Sequence, residues 1–234
     1  MARAVALLVT CEHGGNRVPA RFQALFRNHG QLLASHRGHD FGSLAMARDL
    51  SRHFDARLIH ATTTRLLVDL NRSIGHPRLF SPITRVLPRA TRDAIIAAHY
   101  RPYRDAVDDF VSRALARGRR VVHISSHSFT PALDGVVRDA DIGLLYDPAR
   151  RPERDLCNRW HAAIHGADAS LRIRRNYPYP GKADGLTTFL RRRHPASCYI
   201  GVELEINQRH PLSGGPAWRV LRNHVVLALE HALN

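Results

Sequence analysis

Apolar positions along this chain follow two alternating rhythms. Short apolar runs at Ala4–Thr10, Arg57–Ala61, Leu66–Leu70, Val121–Ser125, Ile142–Tyr146 and Tyr199–Ile206 read as strands. Between them, Phe41–Phe54 carries Leu44, Ala47 and Leu50 at helical spacing, and Thr91–Arg117, Pro152–Ile164 and Ala217–Leu233 also read as helices. Pro152 stands near the first turn of its helix, where a missing N–H costs nothing. Pro102 lies inside Thr91–Arg117 and must kink or split it. Strands alternating with helices predict an α/β domain with a mixed, mostly parallel central sheet. No repeat, low-complexity segment or linker interrupts the pattern, so a single domain over residues 1–234 is expected. The longest turn-rich stretch, Asn176 to Thr188 (NYPYPGKADGLTT), has the character of a binding loop.

The strand ends carry the chemistry. Ala4–Thr10 runs directly into Cys11-Glu12-His13-Gly14-Gly15-Asn16, a polar cluster that a core would not tolerate. Open α/β sheets place their sites just beyond the carboxyl ends of strands. His13 reads as a metal ligand or a general base, although a lone histidine among 16 is more often a cap or a core residue. Its neighbour Glu12 and a second histidine in the same setting raise its weight. That second histidine is His127, where Val121–Ser125 runs on into Ser126-His127-Ser128. Zinc accepts imidazole nitrogen and carboxylate oxygen, and a catalytic site keeps one position for water. Asp40 either caps the helix that follows it or supplies the carboxylate that two histidines lack.

Three further segments matter. Asn71-Arg72 offers a planar guanidinium fork with an adjacent amide, suited to a substrate carboxylate. The alternative is a turn held by an Asp69–arginine pair, and Arg65 can join either role. In Gly201-Val202-Glu203-Leu204-Glu205-Ile206-Asn207, alternation puts Glu203 and Glu205 on one face of a strand. Two carboxylates in an apolar strand are costly unless paired or used. One is a candidate general base, or both pair with arginines. Lys182, the only lysine in the chain, sits between Gly181 and Gly185 and can reach an anion.

Composition narrows the class. The apolar fraction of 44% is that of a globular protein, and no run approaches the length of a membrane span. Three widely spaced cysteines, Cys11, Cys157 and Cys198, suggest neither a disulfide framework nor a zinc ribbon. The first apolar run is too short for a secretion signal, so a cytoplasmic protein without a membrane partner is expected. The formal net charge of +15 raises the alternative of a nucleic-acid-binding protein. The arginines are dispersed over the whole chain and no nucleic-acid motif accompanies them. We therefore expect no nucleic-acid partner, and a field that favours small anionic substrates.

Seven blocks in order, CEHGGNRVP, HRGHD, LLVDLNRS, HISSHSFTP, DIGLLYD, NYPYPGKADGLTT and YIGVELEINQ, resemble the N-formylglutamate amidohydrolase family. They cover most of the chain from Cys11 to Gln208. The resemblance implies hydrolysis of N-formylglutamate to formate and glutamate, a step of histidine degradation. It also implies a three-layer fold related to zinc carboxypeptidases and deacylases. That wider group orders a histidine-bearing zinc loop, an Asn-Arg carboxylate binder, a zinc histidine after a strand and a catalytic glutamate. This chain shows His13, Asn71-Arg72, His127 and Glu205 in that order. The wider group uses His-x-x-Glu in its first loop, and here the fourth position is Asn16, a poor zinc ligand. The acid must come from elsewhere, Asp40 or Glu12, or else the metal occupancy differs from that of the wider group. The resemblance favours Asp40, because family members carry an Asp in that region and Pro in place of Glu12. It favours Glu205 over Glu203, because the family motif Glu-Ile-Asn has one acid. The expectation is zinc or another divalent metal on His13, His127 and Asp40, with Glu205 as base. Arg72 and Asn71 would clamp a carboxylate of an N-acyl amino acid, and Arg65 or Lys182 a second one. The alternative substrates are another N-acyl amino acid or a peptidoglycan fragment.

Overall fold

The computed structural model describes residues 4–234. The chain opens with β1 (Val5–Cys11), a 3₁₀ segment (Ala20–Phe26), α1 (Gly30–Leu33), α2 (Ser43–His53) and β2 (Arg57–His60). There follow α3 (Arg89–Ile95), a π-turn (Ile96–Tyr100), α4 (Arg101–Ala116), β3 (Arg120–Phe129) and a hairpin of β4 (Ala132–Leu133) and β5 (Val136–Val137). The remainder is β6 (Ile142–Leu145), α5 (Arg151–Ala167), β7 (Ile173–Arg175), α6 (Leu186–Arg193), β8 (Tyr199–Asn207), α7 (Arg209–Ser213) and α8 (Gly215–Leu233).

Six strands form one sheet in the order β2-β1-β3-β8-β6-β7. Every neighbouring pair is parallel except β6 with β8. The mixed, mostly parallel sheet of the sequence reading is therefore present. A parallel sheet buried on both faces needs apolar residues at successive positions, and β1 supplies them. Val9 and Cys11 enter one core with Met46 and Leu50 of α2, Trp160 of α5 and Val225 of α8. Ala6 and Leu8 enter the other, with Val107 and Val111 of α4, Leu190 of α6 and the 66–70 segment. Helices on both faces of the sheet make the three layers.

Four readings change. Leu66–Leu70 is not a strand: it forms turns, fully buried, with its apolar side chains packed into the second core. Burial rather than ladder pairing explains its composition. The helix around Pro102 begins at Arg89, and its disturbance falls just before the proline, as the π-turn Ile96–Tyr100. The loop after Asn176 ends at Gly185, because Leu186, Thr187 and Thr188 already belong to α6. Asp40 does not cap α2, whose N-cap is Gly42 at φ 77° with no side-chain bond.

Candidate active site

Parallel pairing brings the polar strand ends to one edge. Thr10 pairs with Ser125, Ser125 with Glu203 and His127 with Glu205. Side chains two apart share a face, so His127 and Glu205 are cross-strand neighbours and Glu12 lies beside Ser125. The loop after β1 bends tightly against the segment after β2. Gly14 donates its N–H to the Ala61 carbonyl at 3.0 Å, and a Cβ on Gly15 would collide with Thr62. This close approach turns His13 inward.

His13, Asp40 and His127 converge there. One potential ligand atom from each lies within 4.8 Å of the others. Asp40 Oδ2 is 3.3 Å from His13 Nδ1 and 2.9 Å from His127 Nδ1. Each imidazole is backed by a carboxylate on its far side. His13 Nε2 donates to Asp69 Oδ1 at 2.7 Å, and His127 Nε2 is 2.9 Å from Glu12 Oε2. Glu12 is fully buried and also accepts from Ser125 Oγ at 2.7 Å and Tyr103 Oη at 2.8 Å. Arg65 bonds Asp40 Oδ1 at 3.2 Å and Asp69 Oδ2 at 2.7 Å.

The charges follow from this packing. Burial would raise the carboxyls of Asp40 and Asp69, yet the adjacent histidines and Arg65 hold both below the usual range. Burial would lower His127, yet its bonds to Asp40 and Glu12 raise it well above an ordinary imidazole. Glu205 has no such partner. It is 5% exposed and its Oε2 is buried without a hydrogen bond. Burial pushes its carboxyl up to about 8; His127 pulls it down, and Asp40 and Glu203 add to the rise.

The donor set fits a divalent metal. Two imidazole nitrogens and a carboxylate oxygen face one another, and each histidine is oriented through its other nitrogen by an acid. Above them opens a cavity of about 660 Å³, lined by Arg72, Asp184, Glu203, Glu205, Arg78 and Tyr179 among others.

The sequence matches the family model of N-formylglutamate amidohydrolase over residues 5–210. The chain belongs to the N-formylglutamate amidohydrolase family. It is thus a hydrolase acting on an amide C–N bond. A gene product of Agrobacterium tumefaciens, Atu2144, is 31% identical over 100% of this chain and 94% of its own, with a TM-score of 0.81. N-formylglutamate amidohydrolase from Ralstonia eutropha JMP134 shares the fold at 19% identity, over 99% of this chain and 94% of its own, with a TM-score of 0.70. No curated protein matches the sequence. No helix among the described residues is long and apolar enough to cross a membrane.

Within this amidohydrolase, the expected residues separate into two groups. His13, Asp40, His127, Glu203, Glu205, Asn71, Arg72 and Arg65 all line the cavity. Glu12, the alternative ligand, sits behind His127 and outside the His13–Asp40–His127 group. Asn16 is exposed and donates to the Leu33 carbonyl at 3.1 Å, away from the site. Lys182 is exposed and not part of the cavity wall. Arg65 is held between Asp40 and Asp69, so its fork is not free for a second substrate carboxylate. Glu203 Oε1 accepts from Thr187 Oγ1 at 2.7 Å rather than from an arginine. Asn71 is pinned by the Leu186 N–H to its Oδ1 at 2.7 Å.

The turn pair expected between Asp69 and an arginine forms with Arg65, while the bond from His13 to Asp69 had no signal in the sequence. Asp184 had almost none. Asp184 accepts from the Ser73 backbone N–H at 2.9 Å and from Ser73 Oγ at 2.5 Å, while its carbonyl accepts from Arg72 Nη1 at 2.5 Å. The only signal for Asp184 was its place in the loop that drew attention to Lys182.

Proposed function

We propose that the protein hydrolyses the amide of an N-acyl amino acid in a metal-dependent reaction, with N-formyl-L-glutamate as the substrate to which the family points. The reading is carried by one observation: Glu205, whose Oε2 is buried without a hydrogen bond, is the cross-strand neighbour of His127 and lines the same cavity as His13 and Asp40. A divalent metal on His13, Asp40 and His127 would supply Lewis acidity there, polarising the scissile carbonyl and acidifying a water. Arg65 keeps Asp40 and Asp69 ionised. Arg72 and Asn71 bind a substrate carboxylate, and Asp184 fixes the direction of Arg72. Glu205 takes a proton from the attacking water and delivers it to the departing nitrogen. A C–O bond forms, the C–N bond breaks, and the products are the free acid, formate for a formyl group, and the amino acid. Glu12 positions His127 and does not touch the substrate.

The test combines metal analysis with a substrate panel. Purified protein is expected to hold one equivalent of divalent metal, and His127→Ala to lose it together with activity. Wild-type protein is expected to release formate from N-formyl-L-glutamate, and more slowly from N-formyl amino acids with neutral side chains. A metal-replete protein that cleaves no N-acyl amino acid would overturn the reading.

A further inference from the structure

Beside the main cavity lies a second hollow of about 480 Å³, which shares Arg65, Asp69, Pro77 and Arg78 with it and adds Arg37, Arg85 and His36 to its own walls. Of its four arginines, only Arg65 has acidic partners among the described residues, Asp40 and Asp69. Arg37, Arg78 and Arg85 are exposed and stand without a counter-charge. The one acid of the hollow, Asp69, is already held between His13 and Arg65. His36 reports the same field: burial first, then Arg37, Arg138 and Arg65, hold its imidazole below the ordinary range. Phe80, Leu66 and Pro82 give the hollow apolar wall between the cations.

Position decides what this hollow can receive. Arg65 is the wall between the two spaces, and its guanidinium bonds Asp40, one of the metal-ligand group. The annex therefore opens beside the group against which the scissile carbonyl must lie. The amino-acid carboxylate goes to Arg72. With the amino-acid half of the substrate taken toward Arg72, the acyl half is taken to lie on the Arg65 side, next to the annex. A formyl group has two heavy atoms and fills about two water volumes, ~60 Å³. The annex is several times larger and is lined by cations, so a formyl group cannot be what it is shaped for.

We propose that the annex is an acyl-group subsite, through which the enzyme accepts N-acyl amino acids whose acyl chain ends in an anion and prefers them to neutral chains of equal length. This rests on the amidohydrolase reading of the main cavity. The chemistry is unchanged: water adds to the amide carbonyl, the C–N bond breaks, and the products are a dicarboxylate and the amino acid. Methylene groups cover Phe80 and Leu66, and the terminal carboxylate meets Arg37, Arg78 and Arg85.

The test compares N-succinyl- with N-butanoyl-L-glutamate and N-glutaryl- with N-pentanoyl-L-glutamate on metal-loaded enzyme. Three solvent-facing arginines are expected to favour the charged chain by about tenfold in kcat/KM at low salt, and by less as salt rises. The double variant Arg37→Gln/Arg85→Gln, both at exposed positions, removes two of the three cations and is expected to lower that ratio by at least half. Calorimetric binding of the same pairs to Glu205→Gln protein should show the same preference without turnover. Ratios near one in wild type, or ratios untouched by the double variant, overturn the annex assignment. Failure to cleave any N-acylglutamate while the charged-chain binding preference persists overturns the N-acyl amino acid reading of the main cavity instead.

Discussion

Glu205 and His127 face each other across β8 and β3, and the surrounding structure treats them in opposite ways. His127 is bonded on both nitrogens, whereas Glu205 keeps an oxygen without a partner. A buried orphan oxygen is destabilising, so its retention points to use in the reaction. Replacement by Gln keeps the shape and removes the base. Glu205→Gln is expected to lower kcat by about 10²- to 10⁴-fold with little change in KM or metal content. Retained turnover in that variant would rule Glu205 out as the base. A second residue makes a claim about stability. His123 is fully buried between Thr10 Oγ1 at 2.8 Å and Tyr199 Oη at 2.7 Å. Burial above all holds its imidazole down at about 4. An unfolded histidine titrates near ~6.5, so between these values the unfolded chain takes up a proton that the folded one refuses. Stability contributed at neutral pH is therefore lost as pH falls from about 6.5, and the loss is complete below about 4, amounting to ~3 kcal/mol at most. Urea denaturation of chelator-treated wild type and His123→Gln should show the wild-type advantage shrinking over that window. A gap that stays constant with pH would place the acid sensitivity elsewhere.

Among elements, β1, β3 and β8 were legible because each is an apolar run that turns polar at its carboxyl end, and that same transition marked His13, His127 and Glu205. Asp40 was legible as a candidate but not as a certainty, since an acid ahead of a helix also suits a cap. What the sequence hid depends on long-range packing. β7 is a three-residue edge strand with two arginines, too short and too polar to carry a strand signature. The helix α6 starts inside a run of turn residues and ends in three arginines, so its apolar face, Leu186 and Leu190, is sparse. Leu66–Leu70 had the composition of a strand because it is buried, and only the tertiary structure tells burial from pairing. The loop at residues 176–185 shows how such elements combine. Its Asp184 holds Ser73 and Arg72, and Arg191 of α6 anchors it by donating to the Gly181 carbonyl at 2.6 Å and to Glu153 Oε1 at 3.0 Å. Asp184→Ala frees the Ser73 side of this clamp, so KM for an N-acyl amino acid should rise about tenfold, with kcat changed less. Steady-state kinetics give the split; an equal fall in kcat with KM unchanged would mean that Asp184 acts on the reacting atoms. Gly143 of β6 offers a harder test of the same loop. A Cβ there would collide with the Tyr177 carbonyl, so Gly143→Ala should displace the loop and lower both thermal stability and substrate affinity.

At the scale of the whole molecule, 35 Lys and Arg residues against 20 Asp and Glu produce a field that attracts anions of any size. A small substrate and a nucleic acid sample that field differently. An N-acyl amino acid carries two or three charges and meets a few arginines within one cavity, so raising salt weakens its capture only modestly. A nucleic acid would have to neutralise many phosphates at once, and each ion pair adds to the salt slope. The arginines of this chain are dispersed, several of them already paired with acids along their own helices, such as Arg113 with Asp109 and Arg151 with Asp155. Between about 50 and 200 mM salt, kcat/KM for an anionic N-acyl amino acid should fall by only a few-fold, whereas duplex DNA retention should fall by about 10²-fold or more. DNA retention at low salt should also be the same for wild type and His127→Ala, since it draws on the outer surface and not on the His13–Asp40–His127 group. Filter binding beside initial-rate kinetics measures both. Tight DNA binding that survives the higher salt would make the basic surface a nucleic-acid interface and would require a second function for this amidohydrolase.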